Sequence, residues 1–146
     1  MAASAALQGV RQEFDPFGAT LLAVVASVGG GTLRDLLMGA TPVFWLQDLT
    51  FLATAVPVGL LAYFWAGRLQ QGGGRRLRLL LYLDAIGLAL FTVVGARAAL
   101  DSGLSVISAV VLGCITGIAG GMFRDVLCGL QPSILKQDLY ATISLV

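Results

Sequence analysis

Gly30-Gly31-Thr32-Leu33-Arg34-Asp35 returns ninety residues later as Gly120-Gly121-Met122-Phe123-Arg124-Asp125. The match runs on: Pro42 and Gln47-Asp48-Leu49 align with Pro132 and Gln137-Asp138-Leu139, and about half of positions 30–49 are identical to 120–139. Shared apolar composition does not give that agreement, so the chain carries an internal repeat. In each copy, glycines and charges sit at matched points of a strongly apolar stretch.

Composition identifies the solvent around that stretch. Of 146 residues, 58% are hydrophobic and 12% charged, and mean hydropathy is +0.90; soluble domains run nearer 45–50% apolar and about 25% charged. The excess lies in uncharged runs at about 17–33, 49–67, 79–96 and 104–123, with partial runs at both ends. Each is long enough to cross a bilayer, which takes roughly 20 apolar residues. The expected fold class is therefore an all-α membrane protein.

Several function classes fall away. A net charge of +1 gives no basic field for nucleic acid, and no aromatic residues alternate with basic ones. The chain has no histidine, and Cys114 and Cys128 lie in or beside one apolar helix, so neither a metal site nor a disulfide framework is expected. Without histidine there is no nucleophile–histidine pair, and Gly29-Gly30-Gly31-Thr32 lacks the lysine and the preceding strand of a P-loop. The chain is read as a non-enzyme without cofactors. No basic segment precedes the first apolar residues, so no cleavable signal is read.

Register sets the topology. Each copy contributes three spans, before residue 10, 17–40 and 49–67 in the first, then 79–98, 104–128 and 139 onward in the second. Three is odd, so the second copy enters from the opposite side as an inverted-topology repeat, an arrangement typical of transport proteins. The domains are then residues 1–67, a basic linker 68–78, and 79–146. Arg68, Arg75, Arg76 and Arg78 place that linker on the cytoplasmic side by the positive-inside rule, in a multi-pass protein of the inner membrane. The same register leaves Leu83-Asp84-Ala85-Ile86-Gly87 without a counterpart after Met1 and shortens the last span. The chain is expected to be a piece of a longer protein.

Glycine and charge within spans call for a physical reason. Ala19, Ala23, Ser27 and Gly31 recur every four residues, as do Ala109, Gly113, Gly117 and Gly121. Such stripes let two backbones approach closely. Three successive glycines, Gly29, Gly30 and Gly31, exceed what packing asks, since each costs about 0.8–1 kcal/mol in a helix relative to alanine. The expectation is that both helices bend or break there, the second at Ala119-Gly120-Gly121, at mirrored depths slightly past mid-bilayer. Packing alone is the plainer alternative.

Charged side chains within spans cost about 2.5–3.5 kcal/mol on insertion and face partners or a path. Arg34 is expected to pair with Asp48 or Asp35, and Arg124 with Asp138 or Asp84, with Asp125 beside it. Such pairs also serve simply to fix helix ends. Trp45, Trp65, Tyr63 and Tyr82 are read as interfacial anchors.

The doubled Gly-Gly-x-x-Arg-Asp block, Asp15-Pro16-Phe17-Gly18, Pro42-Val43-Phe44-Trp45 and Leu83-Asp84-Ala85-Ile86-Gly87 together resemble the prokaryotic trimeric intracellular cation channel (TRIC) family, whose sequences are also labelled as paired glycine transporter domains. The resemblance covers nearly all of the chain. It implies a seven-helix protomer of two inverted three-helix repeats plus a last helix, assembled as a homotrimer. It also implies one potassium-conducting pore per protomer, bounded by two helices kinked at Gly29, Gly30, Gly31, Gly120 and Gly121. Ala119 replaces the first glycine of the second triplet.

Two transport mechanisms fit these residues. In a channel, Ser27, Thr116 and freed carbonyls would line the path of a permeant monovalent cation, with the arginines neutralised by Asp48 and Asp138. In a transporter for glycine or another small zwitterion, broken-helix N-termini would hold the substrate carboxylate. A scaffold whose glycines serve only packing is the third reading.

Overall fold

The computed structural model describes residues 1–68 and 73–132, with side chains placed for 1–68 and 78–132. Asp138, together with Lys136 and the expected last span, lies outside the described residues. Among the described residues six helices follow one another: α1 (Ala2–Arg11), α2 (Pro16–Met38), α3 (Phe44–Gln47), α4 (Thr50–Arg68), α5 (Gly73–Asp101) and α6 (Val106–Leu127). Four carry a stretch long and apolar enough to cross a membrane: Pro16–Met38, Thr50–Arg68, Arg78–Asp101 and Val106–Leu127. The protein is all-α and multi-pass, with no strand among the described residues.

The helix ends repeat more faithfully than the sequence does. Asp15 caps α2 by accepting from the Gly18 amide at 2.8 Å, and Ser105, ninety residues on, caps α6 by accepting from Ser108 at 3.2 Å. Serine and aspartate both suit that role, because a short side-chain oxygen reaches the orphan amides of the first turn. At the other end, the amide of Ala40 donates to Asp35 O at 2.8 Å, and that of Leu130 to Asp125 O at 2.9 Å. This six-residue closure needs a left-handed residue, supplied by Gly39 and Gly129, both at φ 67°. The turn after α1 uses Glu13 at φ 58° where the turn after α5 uses Gly103 at φ 79°. One fold unit is thus built twice from partly different residues.

Packing runs inside out relative to a soluble protein. The buried cluster Ala5, Ala6, Leu22, Ala23 and Ala26 is mostly alanine, whereas large side chains such as Leu61, Phe64, Val106 and Ile107 point outward. Lipid is as apolar as leucine, so membrane helices associate by close backbone approach rather than by burying bulk. α5 lies along α6, α2 crosses α6, and α1 fills the space between α2, α4 and α5.

Of the bend or break expected at the glycines, a break does not occur. α2 and α6 are each assigned as one uninterrupted helix through Gly29–Gly31 and Ala119–Gly121. The glycines serve the crossing. A Cβ on Gly30 would collide with the Thr116 carbonyl oxygen, and one on Gly120 would come within 2.5 Å of the Ala26 carbonyl oxygen. Positions 26 and 116 are themselves a matched pair, so the two contacts are the same contact related by a two-fold axis. That geometry makes α2 and α6 antiparallel at their crossing and gives the repeat its inverted form. Close approach offsets the intrinsic helix cost of glycine, so the chain has no need to open.

Candidate functional site

The site is built from the crossing outward. Its midpoint falls near residues 28 and 118, and Arg34 and Arg124 each lie six residues beyond it on antiparallel helices. At 1.5 Å per residue, that sets the two guanidinium-bearing positions on opposite sides of the crossing, about 9 Å from it along each helix.

On one side, Arg34 donates through Nε and Nη2 to Asp35 Oδ1, at 2.8 and 2.6 Å. The two side chains retain only 8% and 5% exposure. The second oxygen, Asp35 Oδ2, accepts from the Phe44 amide at 2.7 Å, at the start of α3. Trp45 Nε1 donates to Thr32 Oγ1 at 3.0 Å, and the Phe44 ring stands over the guanidinium, 5.5 Å from Cζ to centroid. Phe44 also meets Phe51 edge-to-face at 4.8 Å, which ties the segment to α4.

On the other side, Arg124 Nε donates to Asp125 Oδ1 at 2.8 Å, repeating the first pair. Here a second carboxylate joins. Arg124 Nη1 donates to Asp84 Oδ1 on α5 at 2.6 Å, and to Ser4 Oγ on α1 at 3.3 Å. Ser4, only 1% exposed, also stands 3.4 Å from Asp84 Oδ1. Three helices from both repeats therefore converge on one guanidinium. A cavity between α5 and α6 opens onto this cluster, lined by Leu80, Asp84, Leu88, Gly117, Gly121 and Arg124.

Among the expected site residues, Arg34 with Asp35 and Arg124 with Asp84 and Asp125 are brought together. Asp48 is not. Expected near Arg34, it is exposed and accepts from the Thr50 amide at 2.9 Å at the start of α4. Those hydrogen bonds from Thr50 hold its carboxyl below the usual carboxylate range. The physical reason is sequence proximity: Asp35 needs no loop closure to reach Arg34, and Asp48 has a helix terminus to satisfy. Ser27 and Thr116, expected as path-lining hydroxyls, bond along their own helices. Each donates to its own helix, to Ala23 O and Leu112 O at 2.6 Å, and Thr116 is 1% exposed within the helix crossing. Gly31 faces the Phe44 ring, and Gly29 faces Phe123. The atoms nearest a would-be Cβ on Gly121 are side-chain atoms of Asp84 and Arg124, the nearest at 3.8 Å.

Of the interfacial aromatics, Trp65 and Tyr82 are 59% and 70% exposed. Trp45 turns inward to Thr32, and Tyr63 donates to Phe14 O at 3.2 Å. Cys114 and Cys128 are free thiols. Sequence reasoning missed Ser4, one small residue in an alanine-rich run with no repeat partner of its own kind. It also missed the seat for Phe44, although an aromatic ring following a glycine-notched span was a visible signal.

Chemically, the arrangement offers two arginines neutralised within their own copies, one by a single carboxylate and one by two. No group of three metal-ligating side chains forms among the described residues.

Comparison with known proteins fits this geometry. A family model described as glycine transporter matches residues 1–68 and again 81–146. A membrane protein of Deinococcus radiodurans named UPF0126 is 42% identical over 143 residues, covering 97% of this chain and 65% of that protein. The Escherichia coli inner membrane protein YadS is 39% identical over 147 residues, covering 99% of this chain and 69% of its own. The chain thus spans about two thirds of the length of these relatives. Among solved structures, the trimeric intracellular cation channel orthologue from Rhodobacter sphaeroides superposes with a TM-score of 0.88 at 41% identity, covering 97% of this chain and 71% of that one.

Proposed function

This chain belongs to the glycine transporter family, and from that premise we propose that its protein is a potassium-conducting, monovalent-cation channel of the trimeric intracellular type. The observation that carries the reading is the backbone likeness, at 41% identity, to a protein described as a trimeric intracellular cation channel orthologue. Charge distribution supports it. A bare arginine beside a path repels cations, but Arg34 and Arg124 are both locked to carboxylates on their own helices. At Arg124, a second carboxylate, Asp84, faces the cavity between α5 and α6. A water-filled path beside the crossing would pass carboxylate oxygens at that end. The glycines then hold two pore walls at a fixed small separation rather than opening them.

Under this reading, each protomer of a homotrimer in the inner membrane carries one path, its two domains are residues 1–67 and 79–146, and the arginine-rich linker 68–78 is cytoplasmic. The protein works without a cofactor and catalyses no reaction.

A carrier for glycine or another small zwitterion is the second reading, favoured by the family's description. It calls for broken helices whose N-termini meet the substrate carboxylate. The solved structure this chain resembles at 41% identity is described as a cation channel, so the channel reading stands ahead.

The test is reconstitution of the full-length protein in a planar bilayer under a potassium gradient. Unitary currents reversing near the potassium potential are expected. Electrical silence with saturable uptake of labelled glycine would sink the channel reading in favour of the carrier.

A further inference from the structure

Gly31 has the position of a hinge and the surroundings of a seat. A Cβ there would collide with the Phe44 ring, which rests on the bare backbone of α2. α3 has only four residues, too few to be stable as a helix alone, so its place depends on what it touches. The named anchors are few: the Phe44 amide on Asp35 Oδ2, Trp45 on Thr32, and the Phe44 ring between Arg34 and Phe51. Around them, Thr41, Pro42 and Leu46 to Leu49 are exposed. A segment held at a few points between exposed flanks opens locally at small free energy.

We propose that residues 41–48 form a strap, and that Phe44, seated on Gly31, is a shutter over the Arg34–Asp35 pair. Lifting α3 uncovers the guanidinium and at the same time removes the N–H donor from Asp35 Oδ2. That oxygen then becomes an acceptor for a monovalent cation passing the pair. The gating role rests on the channel reading; the cover itself does not, because it is a matter of access to Arg34.

The experiment therefore has two independent readouts on the full-length protein in liposomes. The first is labelling of Arg34 by phenylglyoxal, followed by peptide mass spectrometry with Arg124 as internal reference. Phe44→Ala should label Arg34 about tenfold faster, the scale of losing a desolvated cation–ring contact, with Arg124 unchanged. Thr32→Val leaves the ring intact and removes only the Trp45 anchor, so it keeps the test alive if Phe44→Ala does not assemble. It should label about threefold faster, since one neutral hydrogen bond is lost. Phe44→Tyr should label at the wild-type rate. Unchanged Arg34 labelling in the assembled variants, or an equal rise at Arg124, overturns the strap.

The second readout is potassium flux in the same liposomes. Flux rising with labelling supports the shutter. Faster labelling at unchanged flux overturns the gating role and leaves the channel reading standing. Absence of flux in every sample, wild type included, fails the channel reading, while labelling still decides the cover.

Discussion

Arg34 and Arg124 occupy the same position in two copies of one motif, and their surroundings differ in kind. Arg34 is held by its sequence neighbour Asp35 and covered by an aromatic ring from the loop that follows. Arg124 keeps the equivalent Asp125 bond and adds Asp84 from α5 and Ser4 from α1. The first site is closed by local chain; the second is knit from distant chain. Duplication preserved what lies within one helix and let the rest diverge, because a bond between adjacent residues survives changes elsewhere and a three-helix cluster requires each helix in place.

That difference is best broken by removing the arginines. Arg124→Leu leaves the buried Asp125 and the partly buried Asp84 without their cation, and about 3–5 kcal/mol of stability should be lost, the range for removing one partner of a buried pair. Arg34→Leu should cost clearly less, because it strips the cation from one carboxylate rather than two. Thermal unfolding of the full-length protein in detergent reads both, and equal losses would erase the distinction between the sites.

The crossing supplies the control, since there the two copies are equivalent. Gly30→Ala and Gly120→Ala each push a methyl group against a backbone carbonyl that cannot swing away. Overpacking of that kind costs about 1–3 kcal/mol, and the two losses should agree closely. A small loss in either, with assembly intact, would return the glycines to the hinge role.

Ser4→Ala sharpens the inter-repeat contact. Serine donates to Met1 O and accepts from Arg124, so its removal should cost about 1 kcal/mol, and only in the second site. A double-mutant cycle with Arg124 measures the coupling, whereas the matching position in the other copy, Val94, offers no such bond. The smallest effect is expected at Asp48. Its folded carboxyl titrates below the ordinary value of 3.8, so the Thr50 cap is complete above that pH and lost as pH falls through the lowered value. Hydrogen exchange at the Thr50 amide should show that loss in acid, and Asp48→Asn should remove the pH dependence.

Much of this was legible beforehand because it is carried by short-range signals. Span positions follow from runs of apolar residues. The inversion follows from an odd number of spans per repeat. Arg124 with Asp84 was a named alternative because charges in spans seek partners. What was not legible concerned choices among partners. Gly29, Gly30 and Gly31 announce an unusual backbone, yet a broken helix and a tightly crossed one use the same residues. Asp35 and Asp48 were equally available on paper, and loop closure together with a helix end in need of a cap separated them. Ser27 and Thr116 bonded back to their own helices, an option every membrane-embedded hydroxyl has.

Sequence alone determined that this chain crosses a membrane, that it is a duplicated unit, and that the duplicate is inverted, because hydropathy, register and parity are properties of order along the chain. The tertiary structure decided what the glycines are for and which carboxylate each arginine holds. Those are questions of distance between segments far apart in sequence. The answers rest on a carbonyl of α6 lying against Gly30, a ring of α3 lying on Gly31, and a serine of α1 reaching Arg124.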